Sequence, residues 1–171
     1  TSSYSVTGVQ TCALPIWGTM APFTAWLMSR GLQTLPLRVE RHSQNALKIA
    51  QHLEKHPKIS RACYPGLESC PGHQVAKKQM SGGFGGVLAV DLKGGREAGK
   101  CFQNGLELCK LAVSLGSVDT LVTHPASTTH LAYSEKDLAS VGMTPGFVRI
   151  AVGIENPEDI IADLDQALAK C

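Results

Sequence analysis

The spacing of apolar and polar residues predicts helices that alternate with short strands along most of the chain. Apolar residues recur with a helical period in some segments, and in others they form short runs or alternate with polar residues. The predicted helices are 21–34, 34–56, 72–80, 96–110 and 156–170, and the predicted strands are 59–66, 87–92, 111–115 and 146–154. This order predicts a small sheet covered by helices, in a two-layer α/β sandwich.

The helical segments differ in how clearly their ends are marked. The last one has Asn156 as N-cap, Pro157 at its first position and acidic residues in the first turn, where they favour the helix dipole. Pro57 stops the second helix. The apolar positions expected to share a side are Phe23, Trp26, Leu27 and Met28 in the first helix, and Val39, Ala46, Ile49, Ala50 and Leu53 in the second. In the last helix the expected buried stripe is Ile160, Ile161, Leu164 and Leu168.

The last strand places an arginine on the face of the sheet away from the core. Val148, Ile150 and Val152 point to one face, and Arg149 points to the other among small neighbours. A guanidinium in this position can bind a carboxylate through two parallel hydrogen bonds. The strand taken alone favours a solvated arginine, because antiparallel sheets often leave one face wet.

The segment 114–130, SLGSVDTLVTHPASTTH, concentrates hydroxyl groups and two histidines. His124 and His130 are six positions apart with no acidic residue or cysteine between them at ligand spacing, so a zinc site is poorly supported. No GxSxG motif supports a serine nucleophile. The spacing favours a turn whose hydroxyls bond its own backbone, and the glycines of SGGFGG also indicate a turn.

Composition excludes several classes of function. The 171 residues suit one domain, 43% are hydrophobic and 18% charged, and no apolar run is long enough to span a bilayer. The net charge is +2, and the basic residues are scattered among the acidic ones, which predicts no nucleic-acid or membrane partner. The six cysteines form no CxxC motif, so a reducing cytoplasm without a disulfide framework is expected, with the cysteines as small buried residues.

The first 17 residues differ from the rest of the chain. TSSYSVTGVQTCALPIW carries no charge and no period, and it lacks the basic start of a signal peptide. The segment is similar to a translated sequencing adaptor. We therefore expect residues 1–17 to be a non-native leader and residues 18–171 to form the domain.

Six segments, in this order, resemble the C-terminal part of the Cys/Met-metabolism family of pyridoxal-phosphate enzymes. They are LPLRVERHSQNALKIAQHLEKHP, YPGL, GGVLAVDLKGG, AVSLG, HPASTTH and VRIAVGIE. The resemblance implies the small C-terminal domain of a fold-type I enzyme, with a mainly antiparallel sheet covered by helices. It also implies a cytoplasmic homotetramer that uses pyridoxal 5'-phosphate.

The resemblance further implies roles for four residues. Ser114, with Leu115 beside it, and Arg149 match the positions that bind the substrate α-carboxylate, and Thr129 matches a position near the cofactor and substrate. The lysine that binds the cofactor belongs to a large N-terminal domain in the family, and Lys48, Lys77 and Lys100 are not candidates for it. We expect no catalytic, cofactor-binding or metal-binding residue in 18–171 and no activity of this fragment alone.

Several activities stay open at this point. The residues around SLG and HPAS resemble methionine γ-lyase most, with Val113 where cystathionine γ-lyases tend to carry an acid. O-acetylhomoserine sulfhydrylase and cystathionine γ-synthase or γ-lyase are alternatives. The substrate would be a sulfur amino acid or an activated homoserine. A hypothesis of another class is a stand-alone module that binds amino acids through Arg149 without chemistry.

Overall fold

The computed structural model describes residues 20–171, so the expected leader at 1–17 lies outside the described residues. The helices are α1 (Pro22–Gln33), α2 (Leu35–Glu54), α3 (His73–Gln79), α4 (Gly95–Gly105), α5 (Glu135–Ser140) and α6 (Pro157–Ala169), and Pro125–Ser127 is a short 3-10 helix. The strands are β1 (Ile59–Cys63), β2 (Val87–Leu92), β3 (Lys110–Leu111), β4 (Leu121–Thr123) and β5 (Phe147–Ala151). The chain divides into two units, 1–36 and 37–171.

Helix α1 belongs to the first unit and forms where the apolar period predicted it. It begins with proline, which suits the first helical position, and continues through Gly31 to Gln33. The predicted apolar side is present but is not buried: Phe23 is 67% exposed, and Trp26, Leu27 and Met28 are each about half exposed.

One sheet organises the second unit. Its strand order is β1-β2-β5-β4-β3, and every neighbouring pair is antiparallel except β3 and β4. The predicted α/β class with a mainly antiparallel sheet is therefore confirmed. Strand β5 lies at the centre, where both of its edges are hydrogen-bonded.

The core forms between one face of this sheet and three helices. Val148 and Ile150 of β5 are fully buried in it, whereas Arg149 between them is only half-buried. The helical residues of the core are Ala46, Ile49, Ala50 and Leu53 of α2, Phe102 of α4, and Ile160, Leu164, Ala167 and Leu168 of α6. Val39, which was expected to share the apolar side of α2, is 45% exposed.

The predicted helix 96–110 is shorter in the structure. Helix α4 ends at Gly105, because the N–H groups of Glu107, Leu108 and Cys109 donate to the carboxylate of Asp163 on α6. These N–H groups therefore cannot also donate to the carbonyl oxygens of α4. A contact with a residue more than 50 positions away therefore sets the end of this helix.

The predicted strand 111–115 is wrong beyond its first residue. Strand β3 contains only Lys110 and Leu111. The main-chain oxygens that follow bind side chains: that of Ala112 accepts from the Thr123 hydroxyl, and that of Ser114 accepts from Arg149. Strand β4 and helix α5 were not predicted at all.

Among residues 20–171, no helix is long and apolar enough to cross a membrane.

Candidate functional site

Arg149 occupies the centre of the sheet on the face away from the core. In the register of the sheet, Ala89 of β2 lies on one side of it and Thr123 of β4 on the other. Both neighbours are small. The guanidinium therefore extends from the middle of the most central strand, where the backbone of β5 is held on both edges.

The guanidinium of Arg149 has two hydrogen-bond partners, both on Nη2, and a buried donor without a partner. Its Nη2 donates to the main-chain oxygen of Ser114 at 2.8 Å and lies 3.5 Å from the hydroxyl of Thr123. Its Nε is buried and has no hydrogen-bond partner. An unpaired buried donor costs free energy, so it is the kind of group that a ligand oxygen satisfies.

The segment 112–120 is held against the end of β5 by a second set of hydrogen bonds. The carboxylate of Glu155 accepts from the main-chain N–H and the hydroxyl of Thr120, and that hydroxyl accepts from the N–H of Gly153 at 2.9 Å. The N–H of Ile154 donates to the oxygen of Val118 at 2.9 Å. Glu155 therefore fixes the loop that brings Ser114 to Arg149.

The other two predicted site residues are not hydrogen-bonded to Arg149. Leu115 is 59% exposed beside Ser114. Thr129 is exposed, and its hydroxyl lies 2.8 Å from Nδ1 of His130. The structure thus joins Ser114 and Arg149 directly, while no hydrogen bond between described residues joins Thr129 to either of them.

His124 is one of two fully buried polar residues of the segment 114–130, with Thr120. It is fully buried, with Nδ1 2.8 Å from the hydroxyl of Ser127 and Nε2 2.8 Å from the oxygen of Pro145. Burial lowers the pKa of His124, and the nearby cations Arg96 and Lys100 lower it further. The imidazole is therefore neutral and joins the 3-10 helix to the loop before β5.

Two of the three hydroxyls after His124 bond the local backbone, as the sequence predicted. Those of Ser127 and Thr128 both donate to the oxygen of His124, at 3.3 and 2.9 Å. Within residues 20–171 no group of three His, Cys, Asp or Glu side chains is placed to hold a metal ion.

Sequence reasoning missed Thr123, which lies beside the guanidinium. The signal that could have found it is a strand at 121–123 paired with β5, but three residues are too few to show alternation.

Comparison with known proteins assigns the family. The protein-family model described as "Cys/Met metabolism PLP-dependent enzyme" matches residues 6–169 of the chain. The chain belongs to this family, whose members depend on pyridoxal phosphate.

The relatives carry more than one activity in their names. The chain is 53% identical over 151 residues to an L-methionine γ-lyase of Fusobacterium nucleatum subsp. polymorphum, covering 88% of this chain and 38% of that protein. It is 49% identical over 150 residues to an O-acetyl-L-homoserine sulfhydrylase of Leptospira meyeri, covering 87% of this chain and 34% of the relative.

A solved structure confirms the fold. It is a crystal structure described as an O-acetylhomoserine (thiol)-lyase of Campylobacter jejuni with N'-pyridoxyl-lysine-5'-monophosphate. The match has a TM-score of 0.82 and 41% identity, over 88% of this chain and 36% of that one. The chain thus spans little more than a third of the length of these relatives.

The donors around Arg149 suit a carboxylate, whereas the lysines considered from the sequence are engaged elsewhere or lie on α3. Lys48 contacts Glu158 and Lys100 contacts Glu97, both at exposed positions, and Lys77 is on α3.

Proposed function

We propose that this chain is the substrate-binding part of a pyridoxal-phosphate enzyme that eliminates or replaces the γ-substituent of a sulfur amino acid. Methionine γ-lyase is the activity we favour, supported by the 53% identity to an enzyme of that name. O-acetylhomoserine sulfhydrylase is the second candidate, supported by the 49% identity to the Leptospira protein.

The observation that carries this proposal is the buried, unpaired Nε of Arg149. On a guanidinium the Nε–H and one N–H of Nη2 point the same way, which forms the fork that a carboxylate binds with two parallel hydrogen bonds. Nη2 has two N–H groups, and only one is needed for the oxygen of Ser114. The second one has only the long 3.5 Å contact with the hydroxyl of Thr123, so we assign it, with the Nε–H, to the α-carboxylate of the substrate.

The other proposed site residues surround this fork. The hydroxyl of Ser114 is exposed and adds a donor to the same carboxylate, with Leu115 next to it. Thr129, on the turn that His124 holds, contacts the part of the substrate near the cofactor. These assignments rest on the resemblance and on the short distance between Arg149 and Ser114.

The contribution of this chain to the reaction is orientation. Bound pyridoxal phosphate supplies the electron sink for proton removal and elimination. Arg149 and Ser114 fix the carboxylate, and so fix which bond to the α-carbon is aligned for cleavage. Such positioning can contribute several kcal/mol, on the order of 7 or more at best.

The proposal extends to the intact protein as a cytoplasmic homo-oligomer, a homotetramer by the resemblance. Exposed apolar side chains lie on the segments that form the site, and they suit a surface that another part of the protein covers. They are Val113, Leu115, Val118 and Leu131. We expect the fragment alone to be inactive.

The test is Arg149→Lys in the full-length enzyme that contains this chain, with L-methionine and its carboxamide as substrates. A lysine keeps the charge but loses the fork, so we expect kcat/KM for L-methionine to fall about 100-fold. The ratio of kcat/KM for L-methionine to kcat/KM for its carboxamide should also fall. The matched control is Arg61→Lys, whose arginine is on edge strand β1 and pairs with Asp91 at 2.6 Å.

Unchanged kcat/KM and an unchanged preference in Arg149→Lys would remove the carboxylate role. The binding-module hypothesis predicts a different result: L-methionine binds to the chain through Arg149, and the full-length protein gives no turnover.

A further inference from the structure

Two thiols outside the proposed site lie close together. The Sγ atoms of Cys63 and Cys70 are 4.0 Å apart. Cys63 ends the edge strand β1 and is exposed, and Cys70 is half-buried. The expectation of small buried cysteines is therefore wrong here.

The loop between the two thiols is ordered by its own hydrogen bonds. The N–H of Leu67 donates to the oxygen of Tyr64 at 3.0 Å, and the N–H of Cys70 donates to the oxygen of Leu67 at 3.1 Å. Tyr64 and Leu67 are both buried in the core, which fixes the loop at two points. The fold itself thus holds Cys70 next to Cys63.

We propose that Cys63 and Cys70 are an oxidation site at which a peroxide forms an intramolecular disulfide bond. The sulfurs must approach from 4.0 Å to about 2.05 Å. The exposed side chain of Cys63 can rotate to make most of this movement. The bond would fix residues 66–69, which line one wall of an open cavity against α2.

The reaction balances with one peroxide. The thiolate of one cysteine attacks a peroxide oxygen, the O–O bond breaks, and a sulfenic acid and one water result. The second sulfur then attacks the sulfenic sulfur, the S–S bond forms, and the S–O bond breaks with release of a second water. The two sulfurs lose two electrons in total, which reduce the peroxide.

The surroundings of Cys63 indicate a slow reaction at neutral pH. Burial raises the pKa of Cys63, the neighbouring Cys70 and Asp91 raise it further, and Arg61 opposes them. Because the thiolate is the nucleophile, disulfide formation should speed up from pH 7 to pH 9.

The other described cysteines provide internal comparisons. Cys109 is buried in the core, and burial raises its pKa far above the usual range, so we expect it to resist oxidation. Cys101 and Cys171 are nearer the surface, where their Sγ atoms donate to the oxygens of Lys170 and Ala167. Their side chains also interact with each other, and burial together with the neighbouring Cys101 raises the pKa of Cys171 to about 12, so we expect this pair to react slowly at neutral pH.

The test is peptide mapping after hydrogen peroxide is added to the reduced, folded chain and free thiols are alkylated. Trypsin cuts after Arg61 and Lys77, so one peptide, 62–77, contains both cysteines. We expect this peptide to lose two hydrogens and both alkylation sites, and dithiothreitol to restore them. Cys109 should stay alkylated.

Two variants and one condition make the result specific. Cys70→Ser should stop the loss of two hydrogens and leave a sulfenic acid at Cys63 that dimedone traps, whereas Cys101→Ser should leave the oxidised peptide unchanged. In concentrated urea, pairing should spread over several cysteines, because the fold no longer selects the pair.

Three results would overturn the proposal. In the first, peptide 62–77 keeps two alkyl groups while other thiols are oxidised. In the second, Cys63 or Cys70 pairs with another cysteine in the folded chain. In the third, the unfolded chain forms the same bond as selectively as the folded one.

Discussion

Nη2 of Arg149 donates to the main-chain oxygen of Ser114 at 2.8 Å, across 35 positions of sequence. The contact joins the central strand of the sheet to the loop that follows β3. Because the acceptor belongs to the main chain, it leaves the hydroxyl of Ser114 for another partner. The two residues therefore contribute separately to the proposed carboxylate site.

The first prediction concerns Ser114→Ala in the full-length enzyme. The change removes one hydroxyl donor and keeps the main-chain contact with Arg149, so we expect kcat/KM for L-methionine to fall about tenfold. This loss should be smaller than that of Arg149→Lys. Steady-state kinetics of the two variants checks the order, and a larger loss in Ser114→Ala would contradict it.

The second prediction concerns stability at mildly acidic pH. Burial lowers the pKa of His124, so the folded chain holds the ring neutral, whereas the unfolded chain takes up a proton below its ordinary value of 6.5. The unfolded state then binds more protons. The stabilisation by His124 should be fully present above pH 6.5 and should be lost as the pH falls below it.

Denaturant unfolding at several pH values from about 5 to about 8, the range in which a histidine titrates, measures this pH dependence of the free energy of unfolding. His124→Gln should reduce the pH dependence and lower the free energy of unfolding by about 2 kcal/mol at neutral pH, because the bonds to Ser127 and Pro145 are lost. His130→Gln is the control, because His130 lies nearer the surface. Equal pH dependence in wild type and His124→Gln would refute this explanation.

The third prediction concerns Gly99, inside α4. A Cβ at this position would lie 2.3 Å from Nε2 of His124, whose ring cannot move because both of its nitrogens are hydrogen-bonded. We expect Gly99→Ala to lower the free energy of unfolding by about 2 kcal/mol. Gly72→Ala, where no atom lies within 4 Å of the new Cβ, should change it by less than about 0.5 kcal/mol.

Thermal or denaturant unfolding of the two glycine variants is the measurement. Equal stability of Gly99→Ala and wild type would show that the ring of His124 can shift.

The fourth prediction concerns Asp163, which accepts three main-chain N–H groups after α4, those of Glu107, Leu108 and Cys109. Asp163→Asn should lower the free energy of unfolding by about 2 kcal/mol, because an amide replaces the charged acceptor. The control is Asp159→Asn in the exposed first turn of α6, where about 0.5 kcal/mol is expected.

Asp163 should also make the free energy of unfolding depend on pH in the acidic range. Burial alone would raise its pKa, but the N–H donors of Cys109 and Glu107 outweigh burial and lower the pKa below the usual 3.8. The stabilisation should be present above pH 3.8 and should be lost as the pH falls through the lowered pKa of the folded state. This role would be contradicted if the free energy of unfolding of Asp163→Asn changed with pH as that of wild type does below about pH 4, near the usual aspartate pKa.

The parts of the fold that the sequence predicted best are those set by neighbouring residues. Helix α6 begins after Asn156, which accepts from the N–H of Glu158, and the residues that mark this start are consecutive. The alternation along β5 correctly placed Val148 and Ile150 in the core and Arg149 on the opposite face. Both features follow from periods of a few residues.

The parts that the sequence did not predict depend on residues distant in the chain. Helix α4 ends at Gly105 because Asp163 binds the next N–H groups, and β3 ends at Leu111 while the oxygen of Ser114 turns to Arg149. Strand β4 is too short to show a period, so Thr123 beside Arg149 went unseen.

The candidate site shows the same division. The sequence by itself determined which face of β5 carries Arg149, because side chains alternate along any strand. Only the tertiary structure decided that Nε would be buried without a partner and that Ser114 would meet Nη2. Those facts depend on how Glu155 and Thr120 hold a distant loop, and hydrogen bonds of this kind leave no period in the sequence.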